Sequence, residues 1–155
     1  MEFSVDLPDW QTLEKASVGL SDETPRLWGT MSPGQMLAHV NGFCELYLGE
    51  LAVPWPIRMI ARLIGRRFLA RVASKSPSAT PRNMNTLPSL KQTSGAPKQL
   101  EEERKRFLLH CQRFAEMEAN GGTVQHQMYG EMAAEDIAGL VRHHTAHHFH
   151  QFGLI

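Results

Sequence analysis

Eight histidines stand in this chain, and five of them fall between His143 and His150. Imidazole is the commonest metal ligand and the side chain whose charge changes near neutral pH, so this cluster is where chemistry is expected. Two pairs within HHTAHHFH are four residues apart, His143 with His147 and His144 with His148. On a helix that spacing stacks two rings one turn apart, where they can share one metal ion. A wheel at about 100° per residue separates the pairs. Ile137, Val141, Leu140 and Phe152 fall together on it and define an inward face. His144 and His148 flank Ile137 closely on either side, in the middle of that face, while Glu135, Arg142 and Ala146 lie opposite. His143 and His147 sit at its edge and read as supporting or surface residues. The run looks like a purification tag, but Thr145, Ala146 and Phe149 interrupt it and it keeps the helical period.

Two imidazoles buried without partners would be costly, since each carries a donor and an acceptor. A divalent cation takes both lone pairs and leaves the outer ring N–H groups to bond elsewhere. A third ligand is available in His39, one turn after Met36 and one turn before Phe43. By its wheel position at the margin of an apolar stripe, His39 taken alone reads as a boundary histidine bonded to a neighbour. His110 and His126 have no partner at ligand spacing and read as structural. Gln151, three residues past His148, either bonds near the site or caps the helix end. Cys44 and Cys111 lie on apolar stripes with no basic neighbour at helical spacing, which predicts inert buried thiols.

Four helices must position these residues. The first runs from about Pro8 to Val18, with Trp10, Leu13 and Ser17 at helical spacing. The second opens on Ser32, Pro33 and Gln35, which combine an N-cap, a proline at the first helical position and a capping-box glutamine. Met36, Val40, Phe43 and Tyr47 form its stripe, flanked by Leu37 and Cys44, and Gly49 and Pro54 mark its end. The third starts near Pro97, carries Leu100, Phe107, Cys111 and Phe114 on one face, and stops at Gly121-Gly122. Its polar face runs from Glu101 to Arg106. The last spans about Ala133 to Phe152. No segment shows sustained strand alternation, so the fold class is all-α, a helical bundle whose sites lie between facing helices.

Between helices two and three lie two further features. Pro56 to Lys75 is a basic amphipathic segment with five arginines, one lysine and no acidic residue. Its apolar residues include Ile57, Ile60, Leu63, Ile64 and Phe68. Three readings apply: a mobile cover whose Arg58, Arg62, Arg66 or Arg67 engages an anionic substrate; a helix lying on anionic lipid; or, favoured here, a solvated surface face. Trp55 and Met59 read as packing residues. From Ser74 to Gln99 a long connection follows, with prolines at 77, 81, 88 and 97, and loops of that length are usually functional or mobile.

Composition narrows the class. The 155 residues form one domain's worth of chain, 42% hydrophobic and 21% charged, which excludes wholesale disorder. Sixteen basic residues balance sixteen acidic ones, so net charge does not point to nucleic acid. The acidic N-terminus has no apolar run, which argues against a secretory signal. Arginines 58, 62, 66 and 67 interrupt the longest apolar stretch and exclude a membrane span there. Two cysteines are too few for a disulfide framework, and the expected location is cytoplasmic.

Two segments resemble a known family. Trp28-Gly29-Thr30-Met31 through Gln35-Met36-Leu37-Ala38-His39 resembles the WGxM…QMLxH segment of the DinB-like superfamily. His144 to Gly153 is similar to the closing HxDHHxxQFG signature of an uncharacterised branch of it, and His126 to Gly130 resembles that branch's HPxFG element. Ala146 replaces the signature's acidic residue, Gln127 its proline, and Ala133 an expected cap. The resemblance implies a single DinB-like four-helix domain over 1–155, with a divalent metal, zinc or nickel, held by His39, His144 and His148. The wheel reaches the last two on its own.

Three neutral imidazoles leave the ion's charge intact and a position open, so a bound water or thiol can ionise at neutral pH. The resemblance implies transferase-like chemistry with a low-molecular-weight thiol and a small-molecule substrate, and it suggests a homodimer. A metal-dependent hydrolase and a non-catalytic, metal-stabilised binding protein are the alternatives.

Overall fold

The computed structural model describes residues 1, 3–84, 87, 90, 91 and 99–155. Among these, five α-helices occur in the order α1 (Trp10–Val18), α2 (Pro33–Tyr47), α3 (Trp55–Ala73), α4 (Leu100–Asn120) and α5 (Ala134–Gln151). A 3-10 turn, Pro77–Ala79, follows α3, and a two-stranded hairpin, β1 (Thr123–His126) and β2 (Gly130–Ala133), precedes α5.

The expected helix signals act as read. Ser32 accepts from the Gln35 amide and Gln35 returns a bond to the Ser32 amide, so the capping box closes over Pro33. Asp9 caps α1, so that helix starts at Trp10, slightly later than Pro8. Gly121, at φ +66, lets the chain leave α4 where a side chain would be strained. The expected start of α4 near Pro97 lies outside the described residues, as does part of the long connection, including Pro88.

Helix α5 packs against α1, α2 and α4, and α2 and α1 each pack along α4. Their shared core includes Leu13, Met36, Val40, Phe107, Phe114, Ile137, Val141 and Phe149. Trp10 stacks on Phe114 and donates to Glu118, which also binds Arg142 of α5, so α1, α4 and α5 are tied at one end.

Three expectations are corrected. The hairpin is the first, against the all-α reading. Its antiparallel strands pair Thr123 with Ala133 and His126 with Gly130, four residues each, too short for alternation to register. The one cue is Gly130, which takes φ +74 after a three-residue loop, a known hairpin geometry. Second, α5 has no solvent-facing side over its central turns. Ala146, placed opposite the core by the wheel, is fully buried, and the segment after α3 and the 3-10 turn bind α5 at His143 and His147. Third, α3 turns its large apolar residues outward. Trp55, Met59, Ile60, Leu63, Ile64 and Phe68 are exposed, and the small residues Gly65 and Ala73 with Leu69 face the body.

Candidate metal centre

His39 on α2 and His144 and His148 on α5 converge. One ring nitrogen from each lies within 4.8 Å of the others. The ring centroids are 5.1 Å apart for His39–His144, 4.7 Å for His39–His148 and 4.7 Å for His144–His148. The helix spacing supplies the last pair, and the capping box starts α2 so that its second turn places His39 opposite.

Hydrogen bonds orient two of the rings. His39 donates from Nδ1 to the Leu90 carbonyl at 2.8 Å, and His148 donates from Nδ1 to Gln151 Oε1 at 2.9 Å. A carbonyl oxygen only accepts, so both Nδ1 atoms carry the proton and both Nε2 atoms keep a lone pair. Gln151 is itself held, because its Nε2 donates to the Trp28 carbonyl at 2.9 Å. That bond fixes which end of the amide faces His148. His144 has no hydrogen-bond partner among the described residues, and its Nδ1 is buried. Its ring lies flat on Phe43, 3.7 Å between centroids and 5° between planes, which sets its orientation by packing.

Burial sets the charge state. Desolvation pushes the His39 imidazole below its ordinary value, pushes His144 well below it, and lowers His148 to about 3. The neighbouring imidazoles add to the effect on His144 and His148, since a second positive charge there would be repelled. All three rings are therefore neutral at pH 7, the form that donates a lone pair to a metal. An imidazole with no protein partner, two rings with Nε2 left open, and three nitrogens in mutual reach fit a divalent cation. The three histidines lie close enough to hold one metal ion.

The other histidines apart from His110 are tied into the fold by hydrogen bonds. His143 donates from Nε2 to the Lys75 carbonyl at 2.9 Å, and His147 from Nδ1 to the Pro77 carbonyl at 2.9 Å. Both are buried, not surface residues, and they pin the segment after α3 to α5. His126 accepts from the Met128 amide and stacks on Tyr129, 5.0 Å between centroids, as a hairpin residue. His110 is buried 3.9 Å from Glu45, away from the other rings. Cys44 and Cys111 are free and buried, and burial pushes both thiols up, as expected of inert cysteines.

Of the two roles open to Gln151, the structure shows the site contact, since its side chain bonds His148. Gly29 gives no sign of its role in the sequence. At φ +78 it lies so near Gln151 that an added Cβ would collide with the amide nitrogen. The Trp-Gly and Gln-Phe-Gly segments, 123 residues apart, are thus one unit that orients a ring of the cluster. Gln127, at the hairpin turn, donates to the Leu51 carbonyl at 2.6 Å and accepts from the Val53 amide at 3.3 Å, fastening the chain ahead of α3.

Fold and site together define a mostly helical protein with a three-histidine cluster, two rings buried and one half-buried, able to hold a metal. Residues 6–153 match the family described as "Protein of unknown function (DUF1569)", and the chain belongs to that family. No curated protein and no solved structure matches it. Among the described residues, no helix is long and apolar enough to cross a membrane.

Proposed function

We propose that this protein is a divalent-metal enzyme of the DinB-like kind, with zinc or nickel held by His39, His144 and His148. The observation that carries the reading is the meeting of three neutral imidazoles, two of them with Nδ1 hydrogen-bonded away so that Nε2 is open. Imidazole donors suit zinc and nickel as they do iron and copper, so the choice of zinc or nickel rests on the resemblance. Bound there, such an ion supplies a Lewis acid that lets a water or thiol ionise at neutral pH. The chain's own contribution is to keep the rings unprotonated by burial and to aim them through Leu90, Gln151 and Phe43. Transferase-like chemistry with a low-molecular-weight thiol and a small-molecule substrate is the preferred reaction class, on the resemblance of the two outer segments.

Metal analysis of protein purified without an affinity tag tests the site first. About one equivalent of zinc or nickel is expected per chain, with almost none in His148→Ala of unchanged helicity. Full metal content in that variant would remove the assignment. With metal present, adduct formation between a thiol and several electrophiles supports the transferase. Ester or amide hydrolysis without thiol dependence would replace it by a hydrolase, and no turnover over a broad panel by a binding protein.

A further inference from the structure

Helix α3 is built to present its apolar side, not to bury it. Trp55 is 64% exposed, Ile60 59%, Leu63 80% and Ile64 58%, with Met59 and Phe68 also open. On a wheel at about 100° per residue, Trp55, Met59, Leu63, Ile60 and Ile64 follow one another around one side as a contiguous strip. Gly65 and Leu69, outside this strip, are buried, and so is Ala73 at the helix end. Gly65 meets the Tyr129 ring where a Cβ would stand 2.5 Å away, so the helix lies flat against the hairpin turn. Arg66 adds a bond of 2.5 Å to the Glu131 carbonyl. Six large apolar side chains left in water along one helix mark a surface that meets something else.

Charge identifies the occupant. Arg58, Arg62, Arg66, Arg67 and Arg71 all lie on α3, and no acidic residue occurs between Glu50 and Glu101. A chain of zero formal net charge therefore concentrates positive charge around this helix and negative charge elsewhere. Arg67 and Arg71 continue the apolar strip towards the helix C-terminus, and Arg62 and Arg66 border it. Two copies docking through this strip would bring like charges together with no acid on either helix to offset them. A helix with exposed Trp, Leu, Ile and Phe, bordered by arginines whose stems extend over apolar surface, matches the interface of an anionic bilayer.

We infer that α3 is a peripheral membrane-binding helix, which lies in the headgroup region of a bilayer rich in anionic lipid. The apolar strip enters the acyl boundary, and the exposed Arg67 and Arg71 meet lipid phosphates. Co-sedimentation with vesicles tests this on the full chain, comparing phosphatidylcholine alone with a mixture containing phosphatidylglycerol. Binding is expected only to the mixture, weakening as salt rises. Arg67→Gln with Arg71→Gln should weaken it about 30-fold, since each basic residue near such a surface contributes about fivefold. Leu63→Ser with Ile64→Ser should weaken it about tenfold or more. These positions are exposed, and unchanged helicity confirms that the variants fold. Equal binding to neutral vesicles, no binding to anionic ones, or a dimer in light scattering that Leu63→Ser with Ile64→Ser dissociates without any vesicle binding, would overturn the inference.

Discussion

Gln151 shows how one side chain joins two distant segments at the candidate centre. Its amide oxygen accepts from His148 while its nitrogen donates to the Trp28 carbonyl, so losing the amide frees the His148 ring to turn and to change tautomer. Outer partners of this kind typically contribute about 10–100-fold to metal affinity. Gln151→Leu, similar in volume, is therefore expected to weaken zinc binding about 10–100-fold in a chelator competition while far-UV helicity is kept. Gly29→Ala should act in the same direction, because its methyl would displace the amide nitrogen. Unchanged affinity in both would show that the ring is held without Gln151. At this scale the sequence is partly legible. Helical period alone singles out His144 and His148, since both the spacing and the burial are local. His39 is not legible that way, because its place beside them depends on how α2 lies against α5, which no local period encodes.

Helix α5 carries two of the three rings and starts poorly. Ala133 stands at its N-cap with φ −64 and ψ 143 and makes no side-chain bond to the first-turn amides. That backbone conformation is the one a capping serine adopts. Ala133→Ser is thus expected to stabilise the protein by about 1 kcal/mol, which for a chain of this size raises Tm by about 2–4 °C. A melting curve that does not move would mean that the amides are already satisfied, for example by water. The elements also show where pattern reading stops. Capping box, glycine stops and apolar stripes locate α2 and α4 because those signals are local and strong. The same stripe on α3 fits packing inward or outward equally well, and the direction is settled by Gly65, whose missing side chain lets the Tyr129 ring come close. For α5 the wheel locates the core side, but the bonds that bury His143 and His147 come from the segment after α3, which the helix's own residues do not announce.

For the whole molecule, the buried histidines link stability to pH. Burial lowers the pKa of His39, His110, His126, His143, His144, His147 and His148, and in each it is the largest cause. Backbone carbonyls facing His39, His143 and His147 oppose the shift without reversing it. Each of these groups is neutral in the folded chain at pH values where the unfolded chain, with an ordinary imidazole pKa of about 6.5, is already protonated. The unfolded state then binds more protons, so stability rises with pH across that window. The contribution is fully present above about pH 6.5 and is lost as pH falls from there towards the folded values, to about 3 for His148. Urea denaturation of metal-free protein is expected to show a midpoint that is level from about pH 8 to 7 and falls steeply from about 6.5 to 5, with more than one proton taken up per chain on unfolding. Metal-loaded protein should be more stable throughout that range with a similar slope, because the folded rings are already unprotonated there. Protons compete for the ring nitrogens only at lower pH, towards the folded values. His148→Gln should flatten part of the metal-free slope, since one depressed group is gone. A midpoint that does not change between pH 7 and 5 would mean that the rings already carry their protons in the folded chain. Three cationic imidazoles within 4.8 Å would repel both one another and any metal, so that result would count against the metal centre as well as the pH dependence.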